Sequence, residues 1–444
     1  MKTGFAKKCI TPPLGTPIVG YYNQRLTQGV HDDLFVRCIA FDDGEKKALC
    51  IALDLCLLST ERYNEYKEML FADTQIPADA IFITCSHTHT GPLTGKDFAS
   101  DLCVSDEYLN ILKMNIRDAA LYALKDLKES EFFEAETKAE GVSFCRRYRM
   151  KDGTTRTNPG VGNPDIDYAL AQPNETVKLL KIVREGAKDI YVVNFGTHPD
   201  SVGGDLISAD YPGYVCSTLE NALGDINCVF LQGPQGDVNH INPNPSEGEK
   251  VISVIDFDSV PRGIEHAKHM GRIIAGAVLS VCTVATPIES GKIRFNSRIL
   301  DLPTHQENDK LESAREICKL YDEGRTEELP FKEMELTTEV ARARRIVALE
   351  NGPYSIPLQI SAISFGSFVF GGFAGEPFTE IGNRVCEASP FATTILCCLT
   401  NSSGSYVPTT KAYAEGGYEA ATSRLKPGAD DMLVEGMLEL LKTV

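Results

Sequence analysis

The segment TCSHTHTG, residues 84–91, places two of the chain's eight histidines two positions apart, directly after a short apolar run. That run, AIFIT, is rich in β-branched and aromatic residues, which predicts a buried strand. Because side chains two apart on an extended chain project to one side, we expect His87 and His89 to face a common space where the strand ends. This placement favours a metal ion or a reacting group, and the alternative is two polar residues satisfied by backbone groups in a surface turn.

Further apolar runs also end in polar loops that contain glycine. The loops after IYVVNF, CVFLQ, SFVFGGF and TTILCCLT carry, in chain order, His198, Asp237, Glu376 and the three tyrosines Tyr406, Tyr413 and Tyr418. Ligand sites in α/β proteins gather in loops at strand ends. Imidazole nitrogens with a carboxylate oxygen suit Zn²⁺, and three protein ligands with one open position form a catalytic site. The sequence therefore predicts a zinc site built from several loops.

Strands alternating with helices must position these loops. The patterns predict antiparallel strand pairs at 38–55 and 178–198, and helices at 60–71, 106–127, 214–223, 261–284 and 430–443. Pro261 is expected in the first helical turn, where proline is tolerated. His266 and His269 lie i, i+3 on that helix without an HExxH motif, which favours a solvated face.

The fold class that these elements predict is α/β, with a mixed β-sheet core flanked by helices and the active site in loops at strand ends. We expect a single domain over residues 1–444. The highly charged, helix-prone stretch 308–351, broken once at Pro330, is predicted to be a helical insertion within it.

The charge and the apolar content of the chain limit the classes of partner that we expect it to bind. The net charge of −18 argues against nucleic acid and against an anionic membrane surface, and leaves a small-molecule substrate as the expected partner. No apolar stretch approaches the roughly 20 residues of a membrane span, and the N-terminal residues lack the pattern of a signal peptide. The 14 cysteines form no CxxC pair, so a cytoplasmic location is expected. The oligomeric state stays open.

Taken in order, these loops resemble the N-terminal catalytic domain of the neutral/alkaline non-lysosomal ceramidase family. SHTHTGP is similar to the family's THTHSGP, THPDS to ATHPTS, QGDVN to GDVSPN, AGEPFTEIG to GEFTTMSG, and YVPTTKAYAEGGYEAA to YxTTxxEYxxxxYEAAS. The similarity covers most of the chain, and the order of the motifs makes it specific. It implies a zinc-dependent hydrolase of an amide bond.

The resemblance also implies the metal ligands. The family's zinc histidines fall on His87 and His198, and its zinc glutamate falls on Glu376. Its zinc tyrosine lies nearest Tyr406, in a loop where the family has a second tyrosine and this chain has Ser403.

Residues with catalytic roles follow from the same motifs. The family's second loop histidine falls on His89, which would contact the substrate or move a proton of the attacking water. Its arginine falls on Arg146 in FCRRY and another motif tyrosine on Tyr418, either of which would hold the developing oxyanion. Asp210 and Asp237 are candidates to orient the ligating histidines, or else cap loops.

Two departures from the family pattern shape the function that we expect. Asn239 stands where the family motif has a serine, so the chemistry would be direct attack by metal-bound water. We expect no counterpart of the family's immunoglobulin-like C-terminal domain or secretion signal, and on that expectation ceramide is a poor substrate candidate. We expect a hydrolase of an amide or related bond in a small substrate. The alternative is a catalytically silent, metal-containing relative that binds a small polar ligand such as a sugar derivative.

Overall fold

A computed structural model describes residues 1–95, 102–255 and 260–444. Within these residues the largest sheet joins nine strands, and Thr286–Ile288 pairs beside Lys128–Lys138, off the main path. In spatial order, that path runs through Ile226–Gln232, Asp189–Phe195, Thr176–Arg184, Lys128–Lys138, Lys2–Cys9, Phe35–Asp42, Lys47–Leu53 and Ile81–Cys85. The outermost pair at each end is parallel and the inner pairs are antiparallel, so the prediction of a mixed sheet is confirmed.

A second sheet contains Ile293–Pro303, Ser355–Phe365, Phe368–Phe373 and Thr393–Cys397. Its side chains, Phe365 and Phe370 among them, share an apolar core with the nine-stranded sheet. Short strands complete the chain at Pro17–Ile18, Arg25–Leu26, Gly29–Val30, Phe144–Cys145, Arg147–Met150, Thr155–Thr157, Ile166–Ala169, Leu206–Ile207, Val238–Asn239, Val254–Ile255, Pro261–Arg262, Glu376–Pro377 and Tyr406–Val407.

Helices flank the sheets, as the α/β class requires. They span Thr60–Thr74, Asp106–Lys125, Asp210–Leu223, Glu247–Val251, Ile264–Val281, Leu311–Asp322, Glu333–Ala348, Thr379–Ala388, Thr410–Glu415, Tyr418–Thr422 and Ala429–Leu441. Among the described residues, no helix has both the length and the apolar character that crossing a bilayer requires.

The segment 398–401 connects the two ends of the nine-stranded sheet. The amide of Cys398 donates to the carbonyl of Gln232 at one end (3.0 Å), and the amide of Asn401 donates to that of Ile83 at the other (2.9 Å). The sheet therefore curves until its outer strands share one bridging segment. This closure brings the loops after both outer strands to one place.

The predicted start of the helix at 261–284 was wrong. The helix begins at Ile264, and Pro261 instead pairs with Ile255 in a short antiparallel ladder. The expectation of a solvated face at His266 was also wrong, because this side chain is only 8% exposed. His266 lies one turn before Met270 on the apolar stripe that faces the core, and this periodicity decides its burial.

Helices lie where the charged stretch 308–351 predicted them, and we call Leu311–Asp322 and Glu333–Ala348 the helical pair. They contact each other through Ala314, Ala343 and Ile346. Arg345 attaches the pair to the rest of the chain: its Nε donates to the carbonyl of Ala421 (2.9 Å), and its guanidinium forms an ion pair with Glu307.

Candidate metal centre

The histidines of the first motif converge through a turn, not along an extended strand. The strand ends at Cys85, and His87 has a φ of 74°, in the left-handed region. The expected extended geometry was therefore wrong, although the two rings do meet, with their Nε2 atoms 3.3 Å apart. Backbone bonds fix the turn, since the amide of His87 donates to the carbonyl of Leu55 (2.8 Å).

Backbone carbonyls orient the two buried histidines of the site. Nδ1 of His87 lies 2.9 Å from the carbonyl oxygen of Cys56, and Nδ1 of His198 lies 3.0 Å from that of Gln235. A proton on each Nδ1 satisfies these contacts and leaves each Nε2 to hold a cation, either a proton or a metal ion. Both Nε2 atoms face the same side chain, Glu376.

Glu376 completes the group. Its Oε2 lies 3.2 Å from Nε2 of His87 and 3.1 Å from Nε2 of His198. One ligand atom from each of the three residues lies within 4.8 Å of the other two, and all three residues are buried. This group could hold a metal ion.

The chemistry of the group fits a cation. Oε2 of Glu376 is buried and makes no well-aligned hydrogen bond with the described residues, although both imidazoles lie near it. Burial raises the pKa of Glu376, but His87 and His198 outweigh this effect and hold the pKa well below its usual range. A charged carboxylate between two imidazole Nε2 atoms is a donor set that divalent transition metals prefer, once the metal replaces any proton on those atoms.

Tyr406 lies beside this group. It is the register partner of Glu376 in a short parallel ladder, and its hydroxyl lies 3.3 Å from Nε2 of His198. Ser403, the other candidate position of this loop, faces away from the ligand group, since its hydroxyl bonds that of Thr60 at 2.8 Å. Tyr406 is therefore the tyrosine of this loop that faces the ligand group.

His89 lies at the edge of the group, next to a residue that the sequence reasoning missed. Its Nδ1 is 3.6 Å from the carboxylate of Asp200, which is itself paired with Arg262 and accepts a hydrogen bond from the hydroxyl of Tyr21. Burial lowers the pKa of His89 well below its usual value, so its imidazole is neutral. The only sequence signal for Asp200 was its place two residues after His198 in THPDS.

Cys56 is a second residue that the sequence reasoning missed. Its thiol forms a further potential ligand group with His87 and His89, and it follows the apolar strand Lys47–Leu53 in LDLC. Nδ1 of His87 is closer to the Cys56 carbonyl oxygen (2.9 Å) than to the thiol (3.7 Å). The group of His87, His198 and Glu376 is therefore the better candidate.

Arg146 and Tyr418 lie next to the ligand group and not within it. The guanidinium of Arg146 lies over the ring of Tyr406 at 5.2 Å and forms an ion pair of 2.5 Å with Glu419. The ring of Tyr418 lies 5.9 Å from that of Tyr406, and its hydroxyl is 3.4 Å from the hydroxyl of Tyr22.

Comparison with known proteins agrees with the loop motifs. No protein-family model matches the sequence. The crystal structure of neutral ceramidase from Pseudomonas aeruginosa matches with a TM-score of 0.75 over 99% of this chain and 74% of that one, at 16% identity. The chain has the neutral ceramidase fold. A solved structure of ceramidase complexed with C2 matches equally, with a TM-score of 0.75 at 15% identity. The expected fold resemblance is confirmed, and the match extends over 74% of the ceramidase chain.

Asn239, which replaces a serine of the ceramidase motif, has a structural role here. Its amide nitrogen donates to the side-chain oxygen of Asn158 (3.0 Å), and its own side-chain oxygen accepts from the amide of Ile241 (3.1 Å). The side chain is buried and offers no hydroxyl to act as a nucleophile.

The aspartates proposed to orient the histidines do not contact them. The carboxylate of Asp210 accepts from the backbone amide of Val202 (2.9 Å), and that of Asp237 accepts from the amide of Thr379 (2.7 Å). Of the two alternatives that the sequence left open for these aspartates, the structure shows the capping of loops, and backbone carbonyls orient the imidazoles. Asp237 instead caps the helix that follows the Glu376 loop, which fixes that loop against the turn that orients His198.

Gly236 lies where these two loops touch, and its replacement is expected to weaken metal binding. A β-carbon there would lie 2.6 Å from the carbonyl oxygen of Glu376 and 2.9 Å from the ring of Phe378. Gly236→Ala must therefore separate Glu376 from the turn that orients His198. We expect metal affinity to fall about 10- to 100-fold, as when other supporting contacts are lost. Competition against a chromophoric chelator measures this affinity.

Gly276→Ala is the matched control, because no atom lies within 4 Å of a β-carbon at that position. Its metal affinity should equal that of the unmodified protein. An unchanged affinity in Gly236→Ala would contradict the role of the close contact.

Proposed function

We propose that this protein is a zinc-dependent hydrolase of an amide or related bond in a small substrate. The observation that carries the proposal is the convergence of His87, His198 and Glu376 from three separate loops, with the hydroxyl of Tyr406 beside them. The neutral ceramidase fold supports this reaction class.

The donor set favours zinc over the common hard cations. Ca²⁺ and Mg²⁺ prefer oxygen ligands, whereas two imidazole nitrogens with one carboxylate suit Zn²⁺. Tyr406 is the candidate for a further ligand or for a hydrogen bond to the substrate. When bound, zinc would polarise the scissile carbonyl and make hydroxide available at neutral pH.

We assign His89 the proton transfers. Its imidazole is neutral, and Nε2 lies 3.3 Å from Nε2 of His87, at the edge of the ligand group. A neutral imidazole there can accept a proton from the attacking water and deliver it to the leaving nitrogen. Asp200 faces Nδ1 on the other side of the ring, so it holds the orientation and favours the charged form of His89 during the transfer.

We assign Tyr418 the stabilisation of the oxyanion, supported by Arg146. The hydroxyl of Tyr418 lies near that of Tyr22 and can donate to a developing oxyanion. Arg146 is held by Glu419 and by the carbonyl of Gly236 (2.8 Å). It therefore supplies a fixed positive charge beside Tyr406.

A catalytically silent relative that binds a small polar ligand is the second candidate function. Asn239 favours it, because the ceramidase motif has a serine there. A turnover screen with N-acyl amino sugars, acyl-amino acids and short acyl amides separates the two, since only a hydrolase releases the free amine.

Metal analysis tests the proposal directly. Protein purified without chelator is expected to contain about one zinc ion per chain, because His87, His198 and Glu376 form one group of ligands. Zinc added to chelator-treated protein should raise the thermal midpoint, because a ligand that binds the native state stabilises it. Less than ~0.2 zinc per chain, together with no such stabilisation, would contradict the proposal.

A further inference from the structure

A cavity of about 810 Å³ has Tyr418, whose ring contacts that of Tyr406, in its wall. Its walls come from the residues 154–159, from the start of the helix Glu333–Ala348, and from the loop 410–421. Its volume lies in the upper part of the range of roughly 300 to 1,000 Å³ that is typical of ligand sites. One wall thus belongs to the helical pair.

Tyr418 connects this cavity to the metal centre. It lines the cavity, its ring contacts that of Tyr406, and the hydroxyl of Tyr406 lies 3.3 Å from Nε2 of His198. Asn158 makes a second connection, because it lines the cavity and accepts the hydrogen bond from Asn239. A ligand in the cavity would therefore reach toward the ligand group past Tyr418.

The cavity wall is charged but balanced. Among the described residues that line it, the cationic side chains are Arg156, Lys332, Arg342 and Arg345. The carboxylates are equal in number: Glu307, Glu333, Glu335 and Glu339. Ion pairs neutralise part of this set, since Glu307 pairs with both Arg342 and Arg345. This balance favours a ligand without net charge.

Hydroxyl groups and small apolar side chains make up most of the uncharged part of the wall, together with the amide of Asn158 and the imidazole of His305. Hydroxyls come from Thr154, Thr155, Thr157, Thr338, Thr410 and Tyr413. Among the described lining residues there is no leucine, isoleucine, valine or phenylalanine, and Met334 is the longest apolar side chain. A long acyl chain would find little apolar surface here and would separate charged groups from water, which is unfavourable.

We propose that this cavity binds the substrate and selects a neutral molecule rich in hydroxyl and amide groups, such as an oligomer of an N-acylated amino sugar. The proposal rests on the proposed function, which it extends from a reaction to a class of substrate. The helical pair is then the element that sets specificity. Arg345 donates to the carbonyl of Ala421, which lies in the same short helix, Tyr418–Thr422, as the proposed oxyanion donor, so the helical pair contacts that helix directly.

Neighbouring threonines on the helix Glu333–Ala348 provide a matched test. Each hydroxyl bonds the carbonyl four residues earlier, that of Met334 for Thr338 (2.8 Å) and that of Glu333 for Thr337 (3.4 Å). Thr338 lines the cavity, and Thr337 does not. Thr338→Trp therefore places a large side chain in the wall of the cavity, while Thr337→Trp places the same side chain on the same helix outside it.

The probes are the trimer of N-acetylglucosamine and N-hexadecanoylsphingosine in detergent micelles, and calorimetry measures their binding. We expect the trimer to bind the zinc-loaded protein more tightly than the lipid. Thr338→Trp should weaken trimer binding about 10-fold or more, and Thr337→Trp less than about twofold. Absence of trimer binding, tighter binding of the lipid, or equal effects of the two variants would each overturn the proposal.

The same measurements distinguish this proposal from the proposed function. If the protein contains no zinc and hydrolyses no amide, yet binds the trimer in a manner that Thr338→Trp weakens, the function fails and the cavity assignment stands. If the protein is a zinc hydrolase, but Thr338→Trp changes neither trimer binding nor the KM for N-acyl amino sugars, the cavity assignment fails alone.

Discussion

His87→Ala is expected to remove bound zinc and to lower amide turnover by about 1,000-fold or more, because hydrolysis at neutral pH depends on the metal. The variant removes one of three ligand atoms that lie within 4.8 Å of one another. It also leaves the buried carboxylate of Glu376 with His198 as its remaining imidazole partner. Metal content and turnover should therefore fall together, which elemental analysis and a steady-state assay on the same preparation measure.

His266→Ala is the control for the loss of a buried imidazole. The side chain of His266 is 8% exposed, close to the 4% of His87, and its ring packs against that of His240 at a centroid distance of 5.2 Å. It lies outside the ligand group. Both variants lose core packing, but His266→Ala should keep its zinc and most of its turnover. Equal losses of turnover in the two variants, with zinc retained in both, would contradict the assignment of His87.

Local patterns placed the members of this group among the candidate ligands, and the resemblance to the ceramidase family selected them from the other candidates. His87, His198 and Glu376 each come shortly after an apolar strand, and the end of a strand is visible in a few residues of sequence. Polar side chains at several strand ends then indicate one site, because loops at strand ends gather in α/β proteins. The helical pair was predictable for the same reason, since helical periodicity is local.

The closure of the sheet was not predictable, because it depends on contacts between distant segments. The bridge through Cys398 and Asn401 joins strands more than a hundred residues apart in sequence, and the segment between them reads as an ordinary strand end. The turn at His87 was not predictable either, because the residues around it do not indicate that its backbone adopts the left-handed conformation. The residues that form the candidate group were therefore identified with an incorrect local geometry.

The groups that orient the two imidazoles could not be identified from the sequence, for a chemical reason. Asp210 and Asp237 were candidates because the sequence shows which residues carry carboxylates. Every residue has a backbone carbonyl, so the sequence does not distinguish those of Cys56, Gln235 and Val238. Tertiary structure decides which carbonyl faces an imidazole. A sequence therefore indicates side chains that are candidate ligands, but it does not indicate the backbone carbonyls that orient them.

Glu419→Gln is expected to destabilise the protein by about 3 to 5 kcal/mol, the cost of breaking a buried ion pair from one side. The carboxylate of Glu419 is fully buried and lies 2.5 Å from the guanidinium of Arg146 and 3.8 Å from that of Arg147. It also accepts a hydrogen bond from the hydroxyl of Thr157 (3.2 Å). The neutral amide removes the ion-pair partner of Arg146, whose side chain is only 7% exposed and cannot regain full hydration. Arg147 loses the more distant of its two carboxylates and keeps Glu415 at 3.1 Å.

The comparison that isolates this effect is Glu439→Gln. Glu439 forms its ion pair with Arg298 on the surface, where the two side chains are 62% and 42% exposed. Its loss should cost less than about 1 kcal/mol, because water already solvates both charges. Urea unfolding measures the free energy of unfolding of both variants. Equal decreases would show that Glu419 does not offset the positive charge of the buried arginines. Since Arg146 also holds the carbonyl of Gly236 beside the Glu376 loop, Glu419→Gln should weaken zinc binding as well, whereas Glu439→Gln should leave it unchanged.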